Sequence, residues 1–568
     1  MGLTNSLNIG RTGLLTHQTG IEVTGNNLAN VATPGFKRQG MELGATGDRR
    51  AGHSFVGQGV GINAITRQVS EAVESRLRSA ISGQGGSAVL QGRLEQLEAL
   101  QNELSGNDLS TALDGYFDAW SQLATNPQDP ALRGLVVSEG VSLAGFVKDL
   151  RAGYGDLETE SIGLLGEGID AANNLLTQIE DVNQAIQSQE GGSGGEASSL
   201  RDRRDGLLAE LAKYVEISVN ELPSGEVDVF VGTLPVILDG KSRGLELRKR
   251  TVDGVDISEI VTASDQTVIN LTSGELASHL AFANGGLSDA TQGLDDLASQ
   301  LIYQTNRIHS QSQALNPANT YVGSYAVADA DAVLTDLDAT ELPFAAHHGS
   351  FQVHLSAGNG SPRQTTAIAI DLDGLGGPGT TLNGLAAQLN AVNGIAATVD
   401  ATGRLTVAGD TPSAAISFSD DSSGVLAALG IGGFFLGKNA ADMAVVDVVA
   451  NDPTRLAAAR GYLSGDNRGA LAASNLRDVS LAELSGRSVT QTWTDRVARD
   501  AAELSRVRDG RASAATVADN LRAQQQAVSG VNADEETINL LQYQRAYQAS
   551  ARYLTVVDEM LQTLLRVI

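Results

Sequence analysis

The segment of residues 529–568 limits most strongly what this chain can fold into. Apolar and aromatic side chains recur there at alternating spacings of three and four residues, the pattern of a helix that packs lengthwise on another helix. Asn532 is placed to cap this helix, and acidic residues 534–536 fill the first turn, where the helix dipole favours negative charge. The predicted C-terminal seam consists of Leu540, Tyr547, Leu554, Val557, Leu561, Leu564 and Ile568.

The N-terminal segment carries a matching pattern. Branched aliphatic residues alternate at the same spacing until Pro34 and Gly35, which end the helix and turn the chain. Gly10, His17 and Thr24 interrupt this line and would weaken a two-stranded packing. The pattern leaves two arrangements open: the terminal helices form a coiled coil with each other, or they pack against neighbouring molecules. The predicted N-terminal seam consists of Leu3, Leu7, Leu14, Ile21, Leu28 and Val31.

Composition narrows the range of partners. The formal net charge of -28 argues against nucleic acid and against an anionic membrane surface as partners. The chain contains no cysteine, which excludes disulfide bonds and thiolate metal sites. The longest stretch that looks apolar, residues 425–437, is too short to span a bilayer. We therefore expect no nucleic-acid partner and no membrane insertion.

Helical periodicity predominates between the two ends, with the longest predicted helix over residues 130–187. Residues 36–63 are polar and glycine-rich, and no helix or strand is predicted there. Short strands with a period of two residues are predicted near 215–272. Residues 323–440 are rich in Ala, Gly, Thr and Asp, and short strands around one helix there predict an inserted α+β module.

These patterns predict a mainly α fold. We expect an elongated multi-domain rod with paired terminal coiled-coil helices, a long-helix body with a small β patch, and an inserted α+β module. The predicted domains are a terminal coiled-coil assembly domain (1–35 and 529–568), a helical rod body (36–322 and 441–528) with the β patch near 215–272, and an outer module (323–440).

Two short motifs resemble ligand-binding loops but lack an essential residue. Gly240-Lys241-Ser242 has the ending of a phosphate-binding loop, but Pro235 stands where that loop needs glycine. Asp371-Leu372-Asp373-Gly374 resembles the start of a calcium loop, but Leu382 stands where a bidentate Glu is required. Both segments are interpreted as turns.

The histidines do not form a convincing metal site. His347 and His348 are adjacent, and adjacent side chains on a strand point to opposite faces. A shared site with His354 is therefore disfavoured. No catalytic, cofactor-binding or metal-binding residues are predicted, no cofactor is expected, and we do not expect an enzyme.

Two terminal motifs resemble a known family. Residues 26–39, which contain Asn30-Val31-Ala32-Thr33-Pro34-Gly35-Phe36, resemble the N-terminal signature of the bacterial flagellar rod, hook and hook-associated proteins. Residues 529–536 and 543–552 are similar to the C-terminus of hook-associated members. The segment Phe36-Lys37-Arg38 is closer to the rod and hook proteins, whereas the helical interior and the length match the hook-associated ones. The family turn motif corresponds here to Asn30, Thr33, Pro34, Gly35 and Phe36.

The resemblance implies a structural subunit of the bacterial flagellum at the junction between hook and filament. It implies assembly through the terminal helices after type III export, and an extracellular location in the flagellum. The implied partners are the hook protein, the third hook-associated protein, further subunits in the same ring, and a cytosolic export chaperone that binds the C-terminal region. The alternative is a non-flagellar coiled-coil spacer or surface adhesin.

Overall fold

The computed structural model describes residues 2–51, 54–103, 105–193, 195–252, 255–356, 363–375, 377–461 and 465–567. The predicted mainly α fold is confirmed, with long helices at both termini and strands between them. The chain forms two compact units. The terminal unit consists of Met1–Arg93, Ser161–Asn284 and Ser505–Ile568, and the central unit consists of Leu94–Glu160 and Gly285–Leu504.

The helices among the described residues are α1 (Gly2–Ala29), α2 (Glu71–Gln101), α3 (Leu109–Thr125), α4 (Pro130–Ser193), α5 (Ser198–Tyr214), α6 (Glu275–Ala281), α7 (Ser288–Ser310), α8 (Leu337–Thr340), α9 (Leu382–Asn390), α10 (Val425–Ala428), α11 (Asp447–Asn451), α12 (Arg468–Asn475), α13 (Val489–Ser529) and α14 (Ala533–Val567). A π-helical turn, Phe282–Leu287, joins α6 to α7.

The strands are β1 (Gln39–Ala45), β2 (Asp48–Ala51), β3 (Ser54–Gly57), β4 (Val60–Arg67), β5 (Ile217–Glu221), β6 (Val227–Val231), β7 (Leu234–Leu238), β8 (Lys241–Ser242), β9 (Leu245–Val252), β10 (Val255–Thr262), β11 (Gln313–Ala314), β12 (Thr320–Val322), β13 (Gly349–Ser356), β14 (Gln364–Ile370), β15 (Ile395–Val399), β16 (Leu405–Gly409), β17 (Ala415–Ser419), β18 (Phe435–Leu436), β19 (Ala444–Val445) and β20 (Ala457–Ala459).

The terminal unit contains two-stranded antiparallel ribbons and one four-stranded antiparallel sheet. β1 pairs with β4 from Gln39 opposite Arg67 to Ala45 opposite Val60, and the β2–β3 hairpin lies between them in sequence. No strand was predicted here, because the polar, glycine-rich residues show no alternation of apolar side chains. A second sheet in the order β5-β6-β7-β8 and the β9–β10 hairpin lie within the predicted β patch. This sheet packs with α4 and α5 in one apolar core.

Aromatic side chains form the core of the central unit. Tyr116 and Trp120 of α3 contact Phe434, whose ring lies 4.7 Å from that of Phe435. Asn306 of α7 holds this aromatic segment, because its Oδ1 accepts the N–H groups of Phe434 and Phe435, each at 2.8 Å. The segment before β18 is therefore anchored to the helices through both apolar contacts and hydrogen bonds.

His309 of α7 is buried and neutral. Its Nδ1 lies 2.8 Å from the carbonyl oxygen of Gly432, and its Nε2 accepts the N–H of Ala457 at 2.8 Å. Only an imidazole protonated at Nδ1 alone satisfies both contacts. Burial lowers the pKa of His309 to about 4, so the neutral form persists at neutral pH.

The helix over Pro130–Gly191 is long and apolar enough to cross a membrane by length and composition alone. Its apolar side chains are used inside both units. Leu143 and Val147 are buried in the central unit, and Leu165 and Ile179 are buried in the terminal unit. Core packing therefore uses part of the apolar surface of this helix.

Candidate assembly site

The terminal helices α1 and α14 pack against each other antiparallel. A Cβ atom on Gly10 would lie 2.6 Å from Leu554 Cδ2, and one on Gly20 would lie 2.7 Å from Tyr543 Cδ1. Such distances leave no room for a side chain, so glycine permits the close approach. Along the pair, Gly10 lies beside Leu554, Gly13 beside Ser550, Gly20 beside Tyr543, and Asn27 beside Glu536.

Small and polar residues form the buried face of α1. Gly10, Gly13, Thr16, Gly20, Val23, Thr24 and Asn27 are the buried positions among the described residues of this helix. His17 is partly buried, its ring lies 6.4 Å from that of Tyr543, and burial lowers its pKa. Gly10 and His17, which interrupt the predicted seam, thus both lie beside α14, and Gly10 is a point of close approach.

The predicted N-terminal seam residues lie beside this buried face. Leu3, Leu7, Leu14, Ile21 and Leu28 are partly buried, whereas Val31 lies past the end of α1 and is 46% exposed. The pairing of α1 with α14 therefore leaves part of the aliphatic surface of α1 accessible.

The predicted C-terminal seam divides in a similar way. Val557 is buried at 3% exposure, and Leu564 is 48% exposed. At the observed register Leu561 lies opposite the start of α1, so Leu564 extends beyond the pair. The prediction for Ile568 falls outside the described residues. Partly buried positions are Leu540, Tyr547, Leu554 and Leu561.

Other apolar residues of α14 lie off the line of this helix that packs against α1. Each of their side chains is at least 50% exposed, so α1 leaves much of their surface uncovered. We call these residues the outer stripe: Ile538, Leu541, Val556 and Met560.

A polar clasp closes one end of the helix pair. Glu536 is 2% exposed, and its Oε1 accepts a hydrogen bond from Arg38 Nε at 2.8 Å. Its Oε2 accepts one from Asn27 Nδ2 at 3.1 Å. Asn27 also bonds both backbone groups of Gln39, at 2.9 and 3.0 Å. The Asn27–Arg38–Glu536 clasp thus joins the end of α1, the start of β1 and the first turn of α14.

The family turn motif connects α1 to this clasp. The N–H of Thr33 donates to the carbonyl of Asn30 at 2.9 Å, and the N–H of Phe36 donates to the carbonyl of Thr33 at 3.3 Å. Gly35 has φ +79°, a conformation that favours glycine. Thr33, Pro34 and Gly35 are exposed, whereas Asn30 and Phe36 are partly buried. The turn therefore sets the direction in which Lys37 and Arg38 leave it.

Lys37 ties the turn to the long helices. Its Nζ pairs with buried Glu74 of α2, and Gln525 of α13 donates to both oxygens of the same carboxylate at 2.8 Å. Nearby, the backbone N–H of Arg38 donates to the carbonyl of Ser529 at 2.9 Å. One carboxylate therefore connects the turn, α2 and α13.

Arg67 at the end of β4 forms a buried ion cluster with one carboxylate just before α5 and two carboxylates on α5. It contacts Glu196, Asp202 and Asp205 at 2.8, 2.9 and 2.7 Å. Burial alone would lower the pKa of Arg67, but the three carboxylates outweigh burial and raise it. Burial raises the pKa of Asp202, although the hydrogen bond from Arg67 opposes that shift. The cluster fixes the β1–β4 ribbon to the helices.

Among the described residues, His348, Asp371 and Asp373 are grouped closely enough to hold a metal ion. However, His348 Nδ1 already accepts the N–H of Leu372 at 3.3 Å. His354 lies elsewhere, between hydroxyl groups at 2.8 Å on either side. The three histidines considered from the sequence are therefore not brought together.

The clasp residues were not predicted as site residues. A usable signal was present, because Glu536, Tyr543, Ser550 and Val557 are spaced seven apart on one line of α14. A charged residue on an otherwise apolar line indicates a specific polar contact. Identifying Arg38 and Asn27 as its partners required the fold, since they are distant in sequence.

Comparison with known proteins supports the terminal and interior patterns. The model described as "Flagellar hook-associated protein FlgK helical domain" matches residues 94–321. "Flagellar basal body rod FlgEFG protein C-terminal" matches 524–567, and "Flagella basal body rod protein" matches 7–37. The first of these two matches contains α14, and the second contains α1 from residue 7 onward.

Individual flagellar proteins are also similar to this chain. Flagellar hook-associated protein 1 of Escherichia coli (strain K12) is 23% identical over 602 residues, covering 100% of both chains. The protein of that name in Bacillus subtilis (strain 168) is 26% identical over 260 residues, covering 42% of this chain and 50% of the relative. The flagellar hook junction protein FlgK of Burkholderia pseudomallei shares the fold, with TM-score 0.50 and 14% identity over 80% of this chain and 100% of that one. The chain is therefore similar, over its whole given length, to flagellar hook-associated protein 1.

Proposed function

We propose that this chain is built into the flagellum through the outer stripe of α14, which contacts neighbouring subunits. The chain is a structural protein of the hook–filament junction and part of an extracellular appendage, and it interacts with other flagellar components. The observation that carries the proposal is a set of exposed apolar side chains on a helix that already packs against α1 through other residues.

The outer stripe has the chemistry of a helix–helix contact. A soluble monomer rarely leaves such a set of side chains in water, because contiguous exposed apolar surface marks an interaction site. Covering the exposed half of one of these side chains contributes on the order of 1 kcal/mol. Several such contacts, together with the accessible part of the α1 seam, supply apolar surface for packing against neighbouring terminal helices. The proposed neighbours are the hook protein, the third hook-associated protein and further copies of this chain in a ring.

Export precedes this assembly in the proposal. The chain leaves the cytoplasm unfolded through the flagellar type III system, and a cytosolic chaperone covers the C-terminal region beforehand. The absence of cysteine and the aromatic content of 4% suit passage of an unfolded chain, since no disulfide has to be reduced. The outer stripe is an apolar surface that such a chaperone would cover.

The proposal includes no catalytic role. Two buried ionisable groups have structural partners: Glu536 is held by Asn27 and Arg38, and His309 by two backbone groups. These contacts orient helices and turns, so they use the polar atoms that a reaction would need.

A strain that lacks the chain tests the function. We expect complete hooks without filaments and flagellin released into the medium, because the subunit that joins the two is missing. Restoring the chain should restore filaments. Normal filaments in the deletion strain would contradict the proposal.

A charged outer stripe tests the site within the same strain. Val556→Asp with Met560→Asp should leave the subunit folded and secreted but leave hooks bare. Gln548→Asp with Gln562→Asp places the same charge at exposed polar positions of α14 and serves as the matched control. Filaments of normal number with the first variant would show that the outer stripe is not the contact.

A further inference from the structure

The apolar contacts between α1 and α14 do not by themselves define one register. On α14 the residues that face α1 repeat every seven positions, as Tyr543, Ser550 and Val557 do, and on α1 Gly13 and Gly20 repeat in the same way. Sliding one helix by seven residues, about 10 Å, again places small residues of α1 against this line of α14. Apolar packing would therefore stabilise more than one alignment.

We propose that the Asn27–Arg38–Glu536 clasp fixes the register of the terminal helix pair. The inference rests on the proposed function, in which this pair carries the outer stripe to its neighbours. Glu536 lies on the line of α14 that packs against α1. It is 2% exposed, and both of its carboxylate oxygens accept hydrogen bonds. A single buried polar residue in an apolar helix interface is a known means of specifying alignment at some expense of stability.

Each one-heptad slip breaks the clasp. In one direction Glu536 moves opposite Gly20, where no cation or amide replaces Arg38 and Asn27. In the other direction Asn27 moves opposite Tyr543, and the carboxylate loses its amide partner. A buried carboxylate or amide without a partner is strongly disfavoured. The clasp therefore penalises both alternatives that the apolar repeat permits.

The clasp also relates the helix pair to the rest of the terminal unit. Besides its contact with Glu536, Arg38 is fixed through its backbone, since its carbonyl accepts the N–H of Gln68 at 2.8 Å and its N–H donates to the carbonyl of Ser529 at 2.9 Å. Fixing the register at Arg38 thus fixes the position of the outer stripe along the helix axis, which we call its height, relative to the β1–β4 ribbon. Neighbouring subunits that assemble in a ring need this height to be the same in every copy.

Disulfide trapping measures the register directly, because the chain has no cysteine of its own. A Cβ on Gly13 would lie 3.9 Å from Ser550 Cβ, within the range for a disulfide. Gly13→Cys with Ser550→Cys therefore reports the observed register in the full-length chain. Gly13→Cys with Tyr543→Cys, and Gly13→Cys with Val557→Cys, report slips in the two directions.

In the chain with an intact clasp, oxidation should cross-link the 13/550 pair and neither slipped pair. Adding Glu536→Leu should lower the yield of the 13/550 cross-link and raise the slipped pairs from background to a comparable yield. Asp534→Leu changes an exposed carboxylate in the same first turn of α14 and should leave the pattern unchanged. Glu536→Gln retains the size of the side chain, so it tests the loss of charge even if Glu536→Leu unfolds the pair.

Two outcomes would overturn the inference, and they are distinguishable. If Glu536→Leu and Glu536→Gln both retain the 13/550 cross-link alone, the glycine contacts and not the clasp set the register. If the intact clasp gives no 13/550 cross-link, the helices are not paired in the isolated chain and the arrangement under the proposed function fails as well.

Discussion

Adjacent valines on α14 provide a sharp test of the paired termini. Val557 is 3% exposed on the side of α14 that packs against α1, whereas Val556 is 53% exposed in the outer stripe. Val557→Ala removes two buried methyl groups at about 0.8 kcal/mol each and leaves a small cavity, so the pair should lose about 2 kcal/mol. The opening equilibrium of the pair should rise roughly 30-fold.

Val556→Ala is the matched control. The gain in helix propensity from Val to Ala, about 0.5 kcal/mol, is common to both variants, so their difference isolates the packing. Hydrogen–deuterium exchange of the monomer is the assay, because it reports local opening. Peptides from both α1 and α14 should exchange faster in Val557→Ala than in Val556→Ala. Equal exchange in the two variants would mean that the termini are mobile in the monomer and that the pair forms only between molecules.

Three further outcomes are expected. Gly20→Ala should destabilise the terminal pair by about 1–3 kcal/mol, because the new Cβ would lie 2.7 Å from Tyr543 Cδ1 and 2.9 Å from Met41 Cε. A Cβ at Gly25 meets nothing within 4 Å, so Gly25→Ala should stabilise α1 by about 0.5–1 kcal/mol. Thermal melts and hydrogen–deuterium exchange distinguish the two variants. The free energy of unfolding, measured in urea, should fall by up to about 3 kcal/mol between pH 6.5, the usual pKa of an unfolded histidine, and the pKa of about 4 in folded His309. The reason is that the unfolded chain takes up the proton first. His309→Gln should reduce this loss. Deleting residues 326–440 should lower the melting temperature more than deleting 326–420, because only the longer deletion removes Phe434 and the backbone that Asn306 holds.

The long helices were predictable because a buried helical face requires apolar residues spaced three and four apart, and this spacing is visible in the sequence itself. The C-terminal helix, its cap at Asn532 and the strands between Ile217 and Thr262 follow such local rules. The domain boundaries, including the limits of the outer module at 323 and 440, stay predictions. Deletion at different positions is the way to test them.

The face of α1 that meets α14 was not predictable from apolar spacing. A pattern of aliphatic residues identifies an apolar surface, but Gly10, Gly13 and Gly20 permit α14 to approach α1 more closely than leucines would. Helix contact then favours the small face, and the leucines of the predicted seam stay partly exposed. Their role in assembly, like that of the whole seam, remains a prediction.

The β1–β4 ribbon and the clasp depend on contacts between distant residues. β1 is stabilised by its register with β4, and Arg67 by carboxylates that lie more than a hundred residues away in sequence. Local propensity carries no information about such partners. In the same way Glu536 looks like an ordinary first-turn carboxylate until Arg38 and Asn27 are placed beside it.

Photo-cross-linking in assembled hook–filament junctions tests the central claim most directly. A photoreactive phenylalanine analogue is placed at position 556 in one strain and at position 557 in another, and the adducts are identified by mass spectrometry. Position 556 should yield adducts to neighbouring subunits, and position 557 should yield adducts within the same chain, to α1. Adducts within the chain at 556 and between subunits at 557 would contradict the assignment of the two faces of α14.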